Sequence, residues 1–213
     1  MSVLWQSVPH LLRGAASTLV LALAVLAVGS ALGLAVGLLR VVPWRGVAAA
    51  VGWTVEVLRA VPLLLLLFFV FFGLPALGIR IPTFPAAVLA MSLWMAANTA
   101  EVVRGGVESI PRGQYEAARS LGLGWVRTLR FVILPQAMRR MLPPFVGLCT
   151  ILVKDTSLAA IIGVFELTRA AQETIERTLR SFEIYGAAAT MYFALCFPLT
   201  RLASRLESRL DRP

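Results

Sequence analysis

Apolar residues along this chain occur in five long runs separated by short stretches rich in arginine and glycine. A helix needs roughly 20 apolar residues to cross the hydrocarbon core of a bilayer. One of the five runs, 141–163, is apolar apart from Lys154 and Asp155. The pattern predicts an all-α membrane protein with about five transmembrane helices in a single domain over residues 1–213. The other four predicted spans are 14–39, 46–72, 84–103 and 184–204.

The first apolar run is expected to stay in the mature protein. It is too long for the hydrophobic region of a cleaved signal peptide, and only Arg13 precedes it as a basic flank. The composition agrees with a membrane protein, because 59% of the residues are hydrophobic and the mean hydropathy is +0.82. Cys149 and Cys196 lie far apart within apolar stretches, a spacing that fits neither a disulfide framework nor a metal site.

The basic residues predict the orientation, since cytoplasmic loops of membrane proteins hold the excess of arginine and lysine. The net charge of +9 is divided into clusters between apolar runs, with no continuous basic tract, which disfavours nucleic-acid binding. The clusters predict an N-terminus outside and a C-terminus inside. Thirteen arginines then fall inside (Arg40, Arg45, Arg104, Arg112, Arg119, Arg127, Arg130, Arg139, Arg140, Arg201, Arg205, Arg209, Arg212) and five outside (Arg13, Arg80, Arg169, Arg177, Arg180).

The cytoplasmic loop 104–140 is predicted to be folded. Residues 114–121 have the pattern of a short amphipathic helix, which Pro111 can open and Gly122 can end. A second helical stretch is expected over residues 125–134. The loop therefore predicts a helix-turn-helix element that projects into the cytoplasm.

The outer loop 166–180 mixes charges of both signs at helical spacing with apolar residues such as Leu167 and Ile175. This pattern is typical of an amphipathic helix. We expect that helix to lie over the outer mouth of the bundle.

The chain lacks the residues of a nucleotide-hydrolysing or His-based enzyme. Its only lysine, Lys154, stands between Val153 and Asp155, so no G-x-x-x-x-G-K-[ST] phosphate loop exists. The single histidine, His10, is close to the N-terminus, which disfavours a catalytic triad or a histidine metal cluster within the membrane. We expect no catalytic residues and no bound metal.

One cytoplasmic string carries a family resemblance. The segments 110–122 and 132–136 resemble the E-A-A-x(3)-G-x(9)-I-x-L-P loop of bacterial ABC importer permeases, with Val132 in place of the usual isoleucine. The resemblance implies that 110–128 is a coupling helix that docks on a separate ATPase subunit. The residues that carry the predicted coupling role are Gly113, Glu116, Ala117, Ala118, Gly122, Leu134 and Pro135.

Other strings resemble the branch of these permeases that transports polar amino acids (histidine, arginine, glutamine, glutamate, cystine and opines). They are Glu56-Val-Leu-Arg-Ala-Val-Pro, Ala100-Glu-Val-Val-Arg-Gly-Gly and Lys154-Asp-Thr-Ser-Leu. The similarity extends over a core of about 15–209. Asn98 stands where this branch frequently has tyrosine, and Gly147 where it frequently has asparagine.

Charges within the spans are candidates for function, because a charge at the bilayer centre costs at least ~2.5 kcal/mol unless it faces a partner or a wet cavity. Five qualify: Glu56, Arg59, Glu101, Lys154 and Asp155. Glu56 and Arg59 are three residues apart and share a helical face, so they are predicted to form a structural pair with each other. Pro62 is expected to kink the span just beyond them.

The remaining polar residues could line a substrate pathway. A zwitterionic amino acid needs an anion for its ammonium group and donors for its carboxylate. The hypothesis is that Glu101 and Asp155 hold the ammonium group or a cationic side chain; the alternative is that Lys154 and Asp155 form structural ion pairs with other spans. The pathway candidates are Asn98, Glu101, Lys154, Asp155, Thr156 and Ser157.

Together these features predict the permease subunit of an ATP-driven importer of polar amino acids in the bacterial inner membrane. The resemblance implies a second permease copy or paralogue, two ATPase subunits, an extracytoplasmic amino-acid-binding protein and contact with membrane lipid. No cofactor is expected in this chain, since ATP and Mg would bind the ATPase. The alternatives are a permease of another ABC importer branch, for methionine or an inorganic anion, and less favoured, an ion channel, a membrane scaffold or a membrane enzyme.

Overall fold

A computed structural model describes the backbone from Ser2 to Leu210 and the side chains from Leu4 to Ser208, so Arg212 of the C-terminal basic cluster lies outside the described residues. All regular elements in this range are helical. In chain order they are α1 (Ser2–Arg40), α2 (Arg45–Ala60), α3 (Leu63–Ala76), α4 (Thr83–Glu108), α5 (Arg112–Ser120), α6 (Trp125–Ile162), α7 (Leu167–Thr178) and α8 (Ser181–Leu210).

Four helices are long and apolar enough to cross a membrane: α1, α4, α6 and α8. The pair α2 and α3 makes a fifth span if it is counted as one, although its two helices are bent by 97°. The predicted number of spans and the all-α class are thereby confirmed. The bend is sharper than the predicted kink, because Val61 and Pro62 both have extended backbone conformations and Pro62 has no N–H to continue the helix.

Two helices begin earlier than the hydrophobic pattern predicts. α1 begins at Ser2 rather than at residue 14, and it continues through Pro9 near its start. Its first turns have a buried stripe that contains Ser7 and Leu11, so packing rather than apolar composition extends the helix. α6 begins at Trp125, so the second helix predicted for the cytoplasmic loop is the first part of the fourth span, joined to it by a π-helical turn over Thr128–Ile133.

α1 and α4 run parallel and approach closely along a line of glycines on α1. A Cβ atom added to Gly29 would lie 2.7 Å from Met95 Cβ, and one added to Gly33 would lie 2.5 Å from Thr99 Cβ. Gly37 is equally close to α4, at Val103. The spacing of four residues places these glycines on one face, which is the small-residue packing pattern of membrane helices.

The two ends of the bundle carry different short helices. α5 lies at the end where α1 and α4 finish, which we call the α5 end. α7 lies at the opposite end, the α7 end, where Leu167 and Ala170 pack against Gly14 and Leu11 of α1. The predicted amphipathic helices of the two loops are confirmed as α5 and α7.

Candidate functional site

α5 is fixed to the bundle by side chains on two neighbouring helices. Tyr115 Oη donates to the carbonyl oxygen of Val107 in α4 at 3.2 Å, and Gln136 Nε2 in α6 donates to Gln114 Oε1 at 3.1 Å. Burial raises the pKa of the Tyr115 phenol and the charge of Glu108 adds to the effect, so the hydroxyl stays protonated as a donor. A force applied to α5 would therefore reach two membrane-crossing helices.

The predicted coupling residues divide between a free face and an anchoring face of α5. Gly113, Glu116 and Ala117 are exposed, whereas Ala118 is buried against the bundle. Gly122 has a φ of +73°, a left-handed conformation that glycine adopts without strain and that ends the helix. The helix thus presents small side chains and the Glu116 carboxylate on its exposed face, while Ala118 packs against the bundle.

The second half of the coupling motif lies at the start of the membrane-crossing part of α6. Leu134 and Val132 are partly buried against an apolar cluster that includes Val107, Ile133 and Met141. Pro135 follows the π-helical turn and is exposed. The two halves of the motif therefore have different positions. The first half lies on α5, which projects from the bundle, and in the second half Leu134 packs the start of α6 against α4.

A cleft of about 460 Å³ separates α5 from the first turn of α6. Arg112, Glu116 and Arg119 contribute charges of both signs to it, and Trp125 contributes an aromatic side chain. Such a cleft can receive a polar or charged side chain from another protein.

Glu101 lies at the centre of an arginine cluster at the α5 end. Arg40 Nη1 donates to Glu101 Oε2 at 2.5 Å, and Arg104 Nη2 donates to Oε1 at 2.5 Å. Arg59 Nη1 lies 3.5 Å from Oε2. The centre of the cluster is sheltered, since the Arg40 side chain is 8% exposed and that of Glu101 is 25% exposed, whereas Arg104 and Arg59 lie at its edge. These contacts link α1, α2 and α4 through one carboxylate.

The structure differs from the predicted pair of Glu56 with Arg59. Glu56 Oε1 lies 3.7 Å from Arg40 Nη2, and Arg59 pairs with Glu101. The physical reason is burial: the Glu56 side chain is 69% exposed and needs a cation less than Glu101 does. Glu56 therefore links α2 to α1 and Arg59 links α2 to α4, and the two side chains do not pair with each other.

The polar string at the end of α6 coincides with a change of helix type. The α-helix ends at Asp155, and a 3₁₀ helix follows over Thr156–Ile162. Thr156 is fully buried and its hydroxyl donates to the carbonyl oxygen of Val153 at 2.8 Å. Within the described part of the chain, the side chains of Lys154 and Asp155 make no hydrogen bond or ion pair; Lys154 is exposed and Asp155 half-buried. The alternative of ion pairs with other spans of this chain therefore finds no partner.

The predicted pathway residues do not form one cluster in a single chain. Asn98 is half-buried and its amide donates to the carbonyl oxygen of Trp94 at 2.9 Å. Glu101 lies near the α5 end with its arginines, whereas Asp155 lies far along α6. That Asn98, Glu101 and the string 154–157 contact substrate stays a prediction.

One buried acid has a structural role that the sequence pattern did not reveal. Glu166 is fully buried, and its Oε1 accepts from the backbone N–H of Arg169 at 2.8 Å, which caps α7. Its Oε2 accepts from Tyr192 Oη at 2.6 Å and from Thr18 Oγ1 at 3.4 Å. The only sequence signal is an acid just before a helical pattern. The carboxylate joins α1, α7 and α8.

Replacing Glu166 with alanine is expected to destabilise the protein by about 1 to 2 kcal/mol, because a helix cap is lost and the hydroxyls of the buried Thr18 and the half-buried Tyr192 lose an acceptor. Thermal unfolding of the purified protein in detergent measures the change. The matched control is Glu176→Ala, an exposed acid in the same helix. Equal melting temperatures for the two variants would contradict the role of Glu166.

Sequence comparison places the chain among membrane transport components. The family model described as "Binding-protein-dependent transport system inner membrane component" matches residues 47–212. The glutamine transport system permease protein GlnP of Escherichia coli (strain K12) is 40% identical over 212 residues, covering 98% of this chain and 96% of that protein. The L-cystine transport system permease protein TcyB of Bacillus subtilis (strain 168) is 43% identical over 159 residues, 74% of this chain and 68% of that protein.

The similarity extends to three dimensions over nearly the whole chain. A chain in the crystal structure of an amino acid ABC transporter with histidines matches with a TM-score of 0.90 at 32% identity, covering 97% of this chain and 96% of that one. The predicted helix bundle is therefore an arrangement already seen in a transporter of this type.

Proposed function

Because this chain belongs to the family of binding-protein-dependent transport system inner membrane components, we propose that it is the permease subunit of an ATP-binding-cassette importer for a polar amino acid. The single observation that carries the proposal is the placement of α5. Glu116 and Ala117 are exposed on this helix, which is hydrogen-bonded to α4 and α6. Relatives named for glutamine and cystine transport favour the polar amino-acid branch over the methionine and anion branches.

The proposed role of α5 is to transmit the movement of a separate ATPase, which binds the ATP and Mg, to the membrane helices. Ala117 gives the free face a smooth surface, and Glu116 offers a carboxylate to a basic partner. The cleft between α5 and α6 receives a side chain of the ATPase. Tyr115 and Gln114 pass the displacement of α5 to α4 and α6, whose rocking alternates access to the substrate.

The orientation and assembly follow from this role. α5 faces the cytoplasm, so the N-terminus and α7 lie on the outer side, where an extracytoplasmic binding protein delivers substrate. The exposed Lys154 and the half-buried Asp155 make no hydrogen bond or ion pair with the residues that the structure describes. We infer that a second permease copy or paralogue completes a pathway between the two chains.

Replacing Glu116 with lysine is expected to leave insertion unchanged and to reduce substrate uptake per ATP hydrolysed by about tenfold, because the reversed charge weakens docking by roughly 1.4 kcal/mol or more. Paired measurement of uptake and hydrolysis in proteoliposomes tests this. The control is Glu176→Lys, the same reversal on the exposed side of α7. Normal uptake per ATP in Glu116→Lys would count against the coupling role and the proposed function with it.

For the substrate, we propose that Lys154 binds the carboxylate and Asp155 the ammonium group of the amino acid. Lys154→Met and Asp155→Asn are expected to raise the substrate concentration for half-maximal uptake by about tenfold with little change in melting temperature, because neither side chain makes a hydrogen bond or ion pair within the described part of the chain. Substrate-stimulated ATPase activity in proteoliposomes provides the readout. A large fall in stability with unchanged substrate dependence would assign both residues to structure instead.

A further inference from the structure

An apolar groove of about 600 Å³ opens on the surface between α1, α4 and α6. Its α6 wall extends from Pro135 to Phe145, and the ten residue steps between them span about 15 Å at the helical rise. This length matches one leaflet, which is half of the ~30 Å hydrocarbon core. Leu34 and Leu142 are large exposed apolar side chains on its rim.

Arg139 gives the groove a positive charge near the α5 end. It lines the groove, is exposed, and makes no ion pair or hydrogen bond with any residue that the structure describes. Its neighbour Arg140, in contrast, donates to the carbonyl oxygen of Ser109 at 2.5 Å. Arg139 is therefore free to bind an anion at the membrane surface.

From the length of the apolar groove and the charge of Arg139 we propose that the groove binds one anionic phospholipid. The phosphate group lies on Arg139, and an acyl chain follows α6 towards Phe145. A basic pocket between membrane helices is the expected form of an anionic-lipid site. The site is separate from Lys154 and from α5, so it does not depend on the proposed substrate.

The test is lipid binding to the permease purified with its partner subunits and stripped of lipid. Native mass spectrometry compares phosphatidylglycerol and phosphatidylcholine with identical acyl chains. One phosphatidylglycerol per permease chain is expected to be retained preferentially. Arg139→Gln should weaken phosphatidylglycerol binding about fivefold, the effect of one arginine near the surface, and leave phosphatidylcholine unchanged.

Two variants make the test specific. Arg205→Gln removes the same charge from an exposed position on α8 at the same end of the bundle and should not weaken binding. Leu34→Trp, which fills the apolar part of the groove, should weaken both lipids. Equal retention of the two lipids by the unaltered protein, or equal losses for Arg139→Gln and Arg205→Gln, would overturn the proposal.

A second measurement distinguishes lipid from a protein occupant. Met138 is an exposed residue that lines the groove, so Met138→Cys, with Cys149 and Cys196 replaced by alanine, reports what covers it. We expect no disulfide cross-link between two permease chains under mild oxidation. Efficient cross-linking would place a second copy over the groove and overturn the lipid assignment.

Discussion

Gly33→Leu is expected to abolish the folded protein, with a destabilisation of about 3 kcal/mol or more. The Cβ atom alone would lie 2.5 Å from Thr99 Cβ and 2.7 Å from the carbonyl oxygen of Ala96, both part of a rigid helix. α1 would have to move away from α4 along its length, and the contacts at Gly29 and Gly37 would be lost with it. Fluorescence-detected size-exclusion chromatography of detergent extracts gives the yield of the monodisperse protein.

Ala35→Leu is the control for this variant, since Ala35 lies on the exposed face of the same helix. It places the same leucine side chain on α1 without meeting α4. We expect Ala35→Leu to elute like the unaltered protein and Gly33→Leu to be lost or aggregated. If both variants eluted and melted alike, close approach of α1 and α4 would not be required for folding.

Glu101→Gln is expected to destabilise the protein by about 2 to 3 kcal/mol. Removing one partner of a fully buried pair costs up to roughly 3–5 kcal/mol. Arg40 would keep only Glu56, at 3.7 Å, and Arg104 would keep only the exposed Glu108. Here the Arg40 side chain is nearly buried, while Glu101 retains partial exposure that reduces the cost. Arg40 and Arg104 would both lose a charged acceptor at 2.5 Å. Thermal unfolding in detergent measures the effect.

Glu183→Gln is the matched control, because Glu183 pairs with Arg180 at 3.0 Å on an exposed part of α8. An exposed pair of this kind contributes about 0–1 kcal/mol. The two variants remove the same chemical group and differ in burial. If Glu101→Gln melted like Glu183→Gln and instead altered substrate dependence, Glu101 would be assigned to the pathway rather than to the arginine cluster.

The spans were predictable because a membrane helix carries its signal in its own residues. Apolar length located the starts of α4 and α8 to within three residues, although both helices continue five or six residues beyond the predicted ends, and Gly122 identified the end of α5. The start of α1 was not predictable, because its polar first turns are held by contacts with α7 that no local pattern encodes. The bend between α2 and α3 was predictable in place, from Pro62, but not in angle.

The candidate sites also differ in whether the sequence made them recognisable. The coupling motif was recognisable because its residues are contiguous and their roles are local to one helix-turn-helix. The arginine cluster was not, because it combines charges from three helices, and sequence spacing suggested only the pair of Glu56 with Arg59. The packing of α1 on α4 had a usable signal in the spacing of Gly29, Gly33 and Gly37, which a search for small residues four apart would have found.

The bend between α2 and α3 has a consequence for backbone hydration. The carbonyl oxygens of Leu58, Arg59 and Ala60 accept no hydrogen bond within the described part of the chain. Pro62 has no backbone N–H, and the N–H groups of α3 do not reach back across the bend. Ala60 and Pro62 are exposed on the surface of the single chain. Unsatisfied backbone cannot face hydrocarbon and is tolerated only against protein or an aqueous cavity. The bend between α2 and α3 therefore marks a side of the bundle that is turned away from lipid. The groove between α1, α4 and α6, which is proposed to bind lipid, marks a different side.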